Sequence, residues 1–215
     1  MEENYHYADR FRWSLNSFLR TLKEVQQILT MELQQNKDAS SWLKVRREEL
    51  SSDGLLSFLF KQRDIVVHKQ MLKPASSGTV GFTKGRGIKL GLGMPIDPLD
   101  DSEVAILKYI WFAAKDTDFM GILYTEEDGS GEYTCVERVW RLGAFPEREV
   151  TELAVEAWEK VASLATGAAE RLGAAVSAPS FKLRNANGVR IKIFPPEFVK
   201  ANLASAKAAH SASAT

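Results

Sequence analysis

Between residues 9 and 36 no glycine or proline interrupts the chain, and Phe11, Leu15, Phe18, Leu19, Leu22, Val25, Ile28, Leu29 and Leu33 recur mostly at steps of three and four. That spacing lays one apolar stripe along a long helix, and a stripe of this length has to be covered by other elements. Ser40 and Ser41 offer the cap of a shorter helix through Trp42 and Val45. Ser51, Ser52 and Asp53 offer capping oxygens for a third helix over residues 54–72. The links are short, which favours an antiparallel bundle. Pro146, followed by Glu147 and Glu149, predicts a further helix to about residue 172. Its Val150, Leu153, Ala157, Val161, Leu164 and Ala168 share one face and would close the bundle.

The middle of the chain reads differently. Gly78, Gly81, Gly85, Gly87, Gly91 and Gly93 fall within residues 76–93, too dense for a helix. Residues 79–82 and 88–92 are expected to be short strands joined through Lys84, Gly85 and Arg86. Residues 102–114 fit helix and buried strand alike. Turn chemistry at Gly129, Ser130 and Gly131 predicts a second hairpin from residues 121–126 and 133–142, and Asn185 to Gly188 a last one within 181–194. The Ala/Ser-rich stretch 201–215 has little apolar bulk and is expected to be disordered. The expected fold class is mainly α, with a minor β part (α+β). A single domain over residues 1–200 is built on a helical bundle of residues 9–72 and 147–172, with short β-hairpins inserted over 76–142.

Charge narrows the partners little, because 28 Lys and Arg balance 28 Asp and Glu. A nucleic-acid partner therefore has to be met by a local patch. Cys135 is the sole cysteine, which excludes an internal disulfide and any multi-cysteine zinc arrangement. No apolar run approaches the roughly 18 to 20 residues that span a bilayer, so no membrane partner is expected. The charged start lacks the pattern of an export signal, and a cytoplasmic location is the expectation. The glycine-rich stretch ends in no Gly-Lys-Ser/Thr, and no strand-to-helix G-x-G-x-x-G occurs. Neither metal nor cofactor is expected.

On the third helix Leu55, Leu56, Phe58, Leu59, Phe60, Ile65, Val66, Val67, Met71 and Leu72 cover most of the circumference. Against them Ser57, Lys61, Asp64 and His68 form one polar stripe at steps of four, three and four. A charged stripe on an enclosed helix needs partners or a function, because unpaired charge is costly to bury. Asp64 and His68 lie one turn apart on one face, and Arg63 reaches the same place through its long side chain.

Arg63-Asp64-Ile65-Val66-Val67-His68 resembles the R-x4-to-6-H motif of HEPN domains, helical-bundle ribonucleases and toxins of defence and toxin-antitoxin systems, some of them inactive. The order of helices over residues 9–72 is similar too. The resemblance implies a HEPN-like bundle and RNA cleavage without metal, in which the ribose 2′-hydroxyl attacks the adjacent phosphate. It also implies paired sites across a homodimer, with an antitoxin or other protein as a further partner. His68 would move the proton, Arg63 would hold the phosphate charge, and Asp64 would orient one of them. Gln70 stands where one toxin subgroup has a tyrosine. The alternative is an inactive module of the same kind that binds RNA, a nucleotide or a protein.

Between residues 60 and 94 seven cations, Lys61, Arg63, Lys69, Lys73, Lys84, Arg86 and Lys89, stand against Asp64 alone. Such a local excess suits an RNA backbone, and Lys61, Lys69, Lys84, Arg86 and Lys89 are the candidate RNA-binding residues. Cys135 and the five tryptophans read as packing residues.

Overall fold

The computed structural model describes residues 1–68, 72–84, 87–127, 129–177 and 186–213. The apolar spacing of the N-terminal third does produce helices: α1 (Ala8–Leu33), α2 (Lys37–Ser52) and α3 (Gly54–His68). The side chain of Asn36, rather than Ser40 or Ser41, caps α2 by accepting from the Ala39 amide. Asp53 caps α3, its carboxylate accepting from the Leu56 amide at 2.9 Å. Helix α5 (Val150–Arg171) starts four residues after Pro146, with Glu149 as its cap. It ends where Gly173, at φ 82°, takes the left-handed conformation that an L side chain resists.

The chain divides into two compact units. The second unit comprises residues 12–73 and 145–183 and holds most of α1 with α2, α3 and α5. Leu33, Ala39, Leu43, Leu164 and Ala168 form one buried cluster there, with Leu29, Trp42 and Leu50 packed against it.

The first unit comprises residues 1–11, 74–144 and 184–215. Here β1 (Ala75–Lys84) pairs antiparallel with β2 (Gly87–Pro95) on one side and with β3 (Glu132–Leu142) on the other. After β4 (Phe145–Glu149), which belongs to the second unit, β5 (Ile191–Ile193) adds to β3 at residues 135–137. Among the described residues, β2, β1, β3 and β5 of this unit form one antiparallel sheet. Gly81 lets the hairpin coil tightly, since a Cβ there would stand 2.2 Å from the Leu90 carbonyl oxygen. One face carries Val80 and Val136 into a core shared with Ile106 and Ile110 of α4 (Ser102–Ala113) and with Val199 and Leu203 of α7 (Pro196–Ser213). Further along that face of β3, by the alternation of side chains, Arg138 and Trp140 receive the N-terminal segment. Trp140 stacks on Phe11 with centroids 4.6 Å apart and donates Nε1–H to the Tyr5 carbonyl at 2.9 Å.

These elements correct the expected fold class. The chain is α+β with an extended antiparallel sheet, and not mainly α with short inserted hairpins. The glycine-rich strands looked like a local hairpin because nothing in their neighbourhood signals a third strand, yet β1 pairs with β3 along ten residues, from Ala75↔Arg141 to Lys84↔Glu132. Residues 102–114, left open between helix and strand, are mostly α4. The second hairpin does not form, because Thr117–Ile122 is a 3-10 helix and β3 takes distant partners. Nor is the C-terminal stretch disordered up to Ser213. Val199, Leu203 and Ala206 lie buried on one side of α7, where small side chains allow close packing in the core shared with α4. Of the last expected hairpin, residues 181–185 lie outside the described residues, and α6 (Ala186–Arg190) is helical. No helix among the described residues is long and apolar enough to cross a membrane.

Candidate functional site

The motif sits on the C-terminal half of α3, in the second unit. Asp64 lies half-exposed, and Lys23 of α1 donates to both of its oxygens, at 2.8 Å and 3.0 Å. The Arg63 guanidinium adds a bond from Nη1 at 3.2 Å. Its side chain is only 17% exposed, and its Nε is buried without a hydrogen-bond partner. Two fixed cations therefore converge on one carboxylate. The Lys23 hydrogen bond, followed by that from Arg63, holds the Asp64 carboxyl below the usual range. His68, four residues on in the same helix, ends α3, and its side chain lies outside what the structure describes.

Of the candidate RNA-binding residues, Lys61 is exposed on α3 in this unit. Lys84 and Lys89 belong to β1 and β2 of the first unit, and Lys84 faces Glu132 at 3.6 Å. The sequence count of cations missed this acid because it arrives from a distant strand. Lys69 and Arg86 lie outside the described residues. The structure thus brings Arg63 and Asp64 together, and it adds Lys23, which sequence reasoning missed. The available signal was positional: Lys23 follows Leu19 by one turn, at the margin of the buried stripe of α1. Within the chain, Lys23 gives Asp64 of the α3 polar stripe a partner.

Other reactive groups are locked into packing. Burial, and then Glu137, pushes the Cys135 thiol up to about 12, so it stays protonated at neutral pH. Burial pulls His6 down to about 4, and its Nδ1 lies 2.8 Å from the Ser102 hydroxyl. A groove of about 620 Å³ in the second unit is lined by Trp42, Arg46, Trp158, Glu170 and Arg171, and includes none of Lys23, Arg63 and Asp64. Among the described residues no three His, Cys, Asp or Glu side chains gather as a metal site requires.

A separate ion cluster in the second unit gives a pH prediction. Lys160 of α5 donates to Glu156 at 2.7 Å and to Asp53, the cap of α3, at 2.5 Å. Its hydrogen bond, and then that from Arg148, lowers the Glu156 carboxyl below its ordinary value. A folded pKa below the unfolded value of about 4 gives stability that is present above that pH and lost as pH falls through the native value. Urea midpoints are expected to fall between pH 7 and about pH 3, and Lys160→Met is expected to flatten that fall. Equal slopes for wild type and variant would remove the cluster as a cause.

Compared with protein-family models, with curated proteins and with solved structures, the chain finds no match in any of the three.

Proposed function

We propose that the Arg63–His68 segment is a metal-independent ribonuclease site. The observation that carries this reading is the convergence of Lys23 and Arg63 on Asp64, one helical turn before His68. Two cations and one carboxylate leave a local positive charge, and a phosphodiester oxygen is the kind of group that competes for them. In the reaction the ribose 2′-oxygen forms a bond to phosphorus while the bond to the 5′-oxygen breaks. His68 takes the 2′-hydroxyl proton, for which an imidazole suits neutral pH, and the departing 5′-oxygen takes a proton from solvent water to leave as the 5′-hydroxyl. Arg63 and Lys23 balance the charge that gathers on the phosphate oxygens. Asp64 holds both cations in place before RNA arrives. The resemblance of the motif to that of HEPN ribonucleases supports the same chemistry.

The expected products are a 2′,3′-cyclic phosphate and a 5′-hydroxyl. Protein freed of contaminating nuclease should cut single-stranded RNA in EDTA and leave DNA of the same sequence intact, for want of the 2′-hydroxyl. Gel analysis with end-group mapping reads both. If a panel of structured and unstructured RNAs stays uncut, the catalytic reading is wrong. RNA that is then still bound in a salt-dependent way would assign the site to a binding module.

A further inference from the structure

Strand β2 stands at the end of the sheet order, paired with β1 on one side and with no other strand among the described residues. Its register with β1 shifts at Phe82/Thr83, so that Lys89 is an extra residue on β2 and the regular ladder runs from Leu90 to Pro95. Within it Leu90, Leu92 and Met94 stand opposite Phe82, Val80 and Gly78, and residues directly opposite share a face. Phe82, Val80 and Met94 belong to the core on that face, yet Leu90 remains 58% and Leu92 44% exposed. Gly91 and Gly93 occupy the other face. An end strand with uncovered leucines and no charge over five residues is a template for another strand.

We infer that β2 pairs antiparallel with β2 of a second copy of this chain, about a two-fold axis at Leu92, to make one sheet across two molecules. The stretch is complementary to itself, which is what a two-fold interface requires. About that axis Leu92 meets Leu92 of the second copy, Leu90 meets Met94 on the same face, and Gly91 meets Gly93 on the other. No like charges are opposed. Lys89, at the bulge, falls opposite Pro95, which has no N–H to offer, so the ladder stops after these residues at each end. The pairing closes on itself and does not extend into a fibre. A strand pair this short covers less than a standard interface, so association is expected in the micromolar range. This inference stands independently of the ribonuclease reading.

Light scattering of the full chain between about 1 and 100 µM should show the mass rise from monomer to dimer. Hydrogen exchange at residues 90–94 should slow as concentration rises. Leu92→Lys sets two like charges opposite each other and should stay monomeric over that range, with the wild-type circular dichroism spectrum, because the position is half-exposed. A wild type that stays monomeric overturns the proposal, as does a dimer that Leu92→Lys leaves intact. If that variant loses its fold, the exchange of wild-type β2 decides: no dependence on concentration refutes the pairing. Slowed exchange only on adding an extended peptide, with the chain itself monomeric, would likewise overturn it and assign the edge to a foreign strand.

Discussion

His68→Ala is expected to lower the rate of RNA cleavage by roughly a hundredfold or more, the usual contribution of a positioned proton-transfer group. The loss should appear in kcat with RNA affinity little changed, because the substitution removes the proton acceptor and leaves both cations. Arg63→Ala should cost a comparable factor, about a hundredfold, because its charge acts on the phosphate as charge develops. Lys23→Met should weaken RNA binding and reduce its salt dependence, and it should also release Asp64 from its principal partner. His68 is the last residue of α3, so its truncation should leave the circular dichroism spectrum as it is. Single-turnover rates with wild type and variants measure all three. A His68→Ala protein that cuts at the wild-type rate would sink the assignment of that residue, and with it the reading of the motif.

Trp140→Ala should cost about 3–5 kcal/mol of stability, the range for removing a large buried aromatic. The indole is fully buried, stacked on Phe11 at an interplanar angle of 13°, and the Arg138 guanidinium lies 3.8 Å from its ring centroid. Arg138 in turn donates to the Asp100 carbonyl at 2.6 Å, to the Asp97 carbonyl at 3.2 Å and to the Ser76 hydroxyl at 2.9 Å. Burial lowers the Arg138 pKa to about 10, which still leaves it charged at neutral pH. Loss of the indole removes the surface on which this cation rests and loosens both the segment 97–100 and the N-terminus. For a chain of this size the melting midpoint should drop by about 10 °C. A drop of less than about 2 °C would show that the cluster contributes little.

The helices of the second unit were legible because their information is local: α1 and α5 announce themselves by spacing, and α3 by Asp53 at its start. The sheet was not, since pairing Ser76 with Trp140 or Cys135 with Ile193 is written only in the tertiary fold. Helix α7 was hidden for another reason. Alanine and serine carry too little hydrophobicity to mark a buried face, yet their small size is what allows Ala206 into the core with α4. In the candidate site the neighbours Arg63 and Asp64 could be read from the chain. The place of Lys23 beside the buried stripe of α1 could be read too, but its pairing with Asp64 could not, because the two meet only when α1 lies against α3. The cationic count over residues 60–94 misled in the same way, by leaving out Glu132.

The first unit takes its parts from both ends and the middle of the chain: residues 1–11, 74–144 and 184–215. Tyr5 bonds through its hydroxyl to the carbonyl of Arg138, 133 positions away. During synthesis residues 1–11 emerge long before β3, and β3 before β5. No contiguous fragment contains this unit, so a truncation at either end removes part of it. Trimming α7 as though it were a dispensable tail would strip Val199 and Leu203 from the core. A nascent chain accordingly carries β1, β2 and β3 with an apolar face that α4 covers only in part until Val199 and Leu203 have emerged, and for that interval it depends on whatever shields such surfaces in the cell.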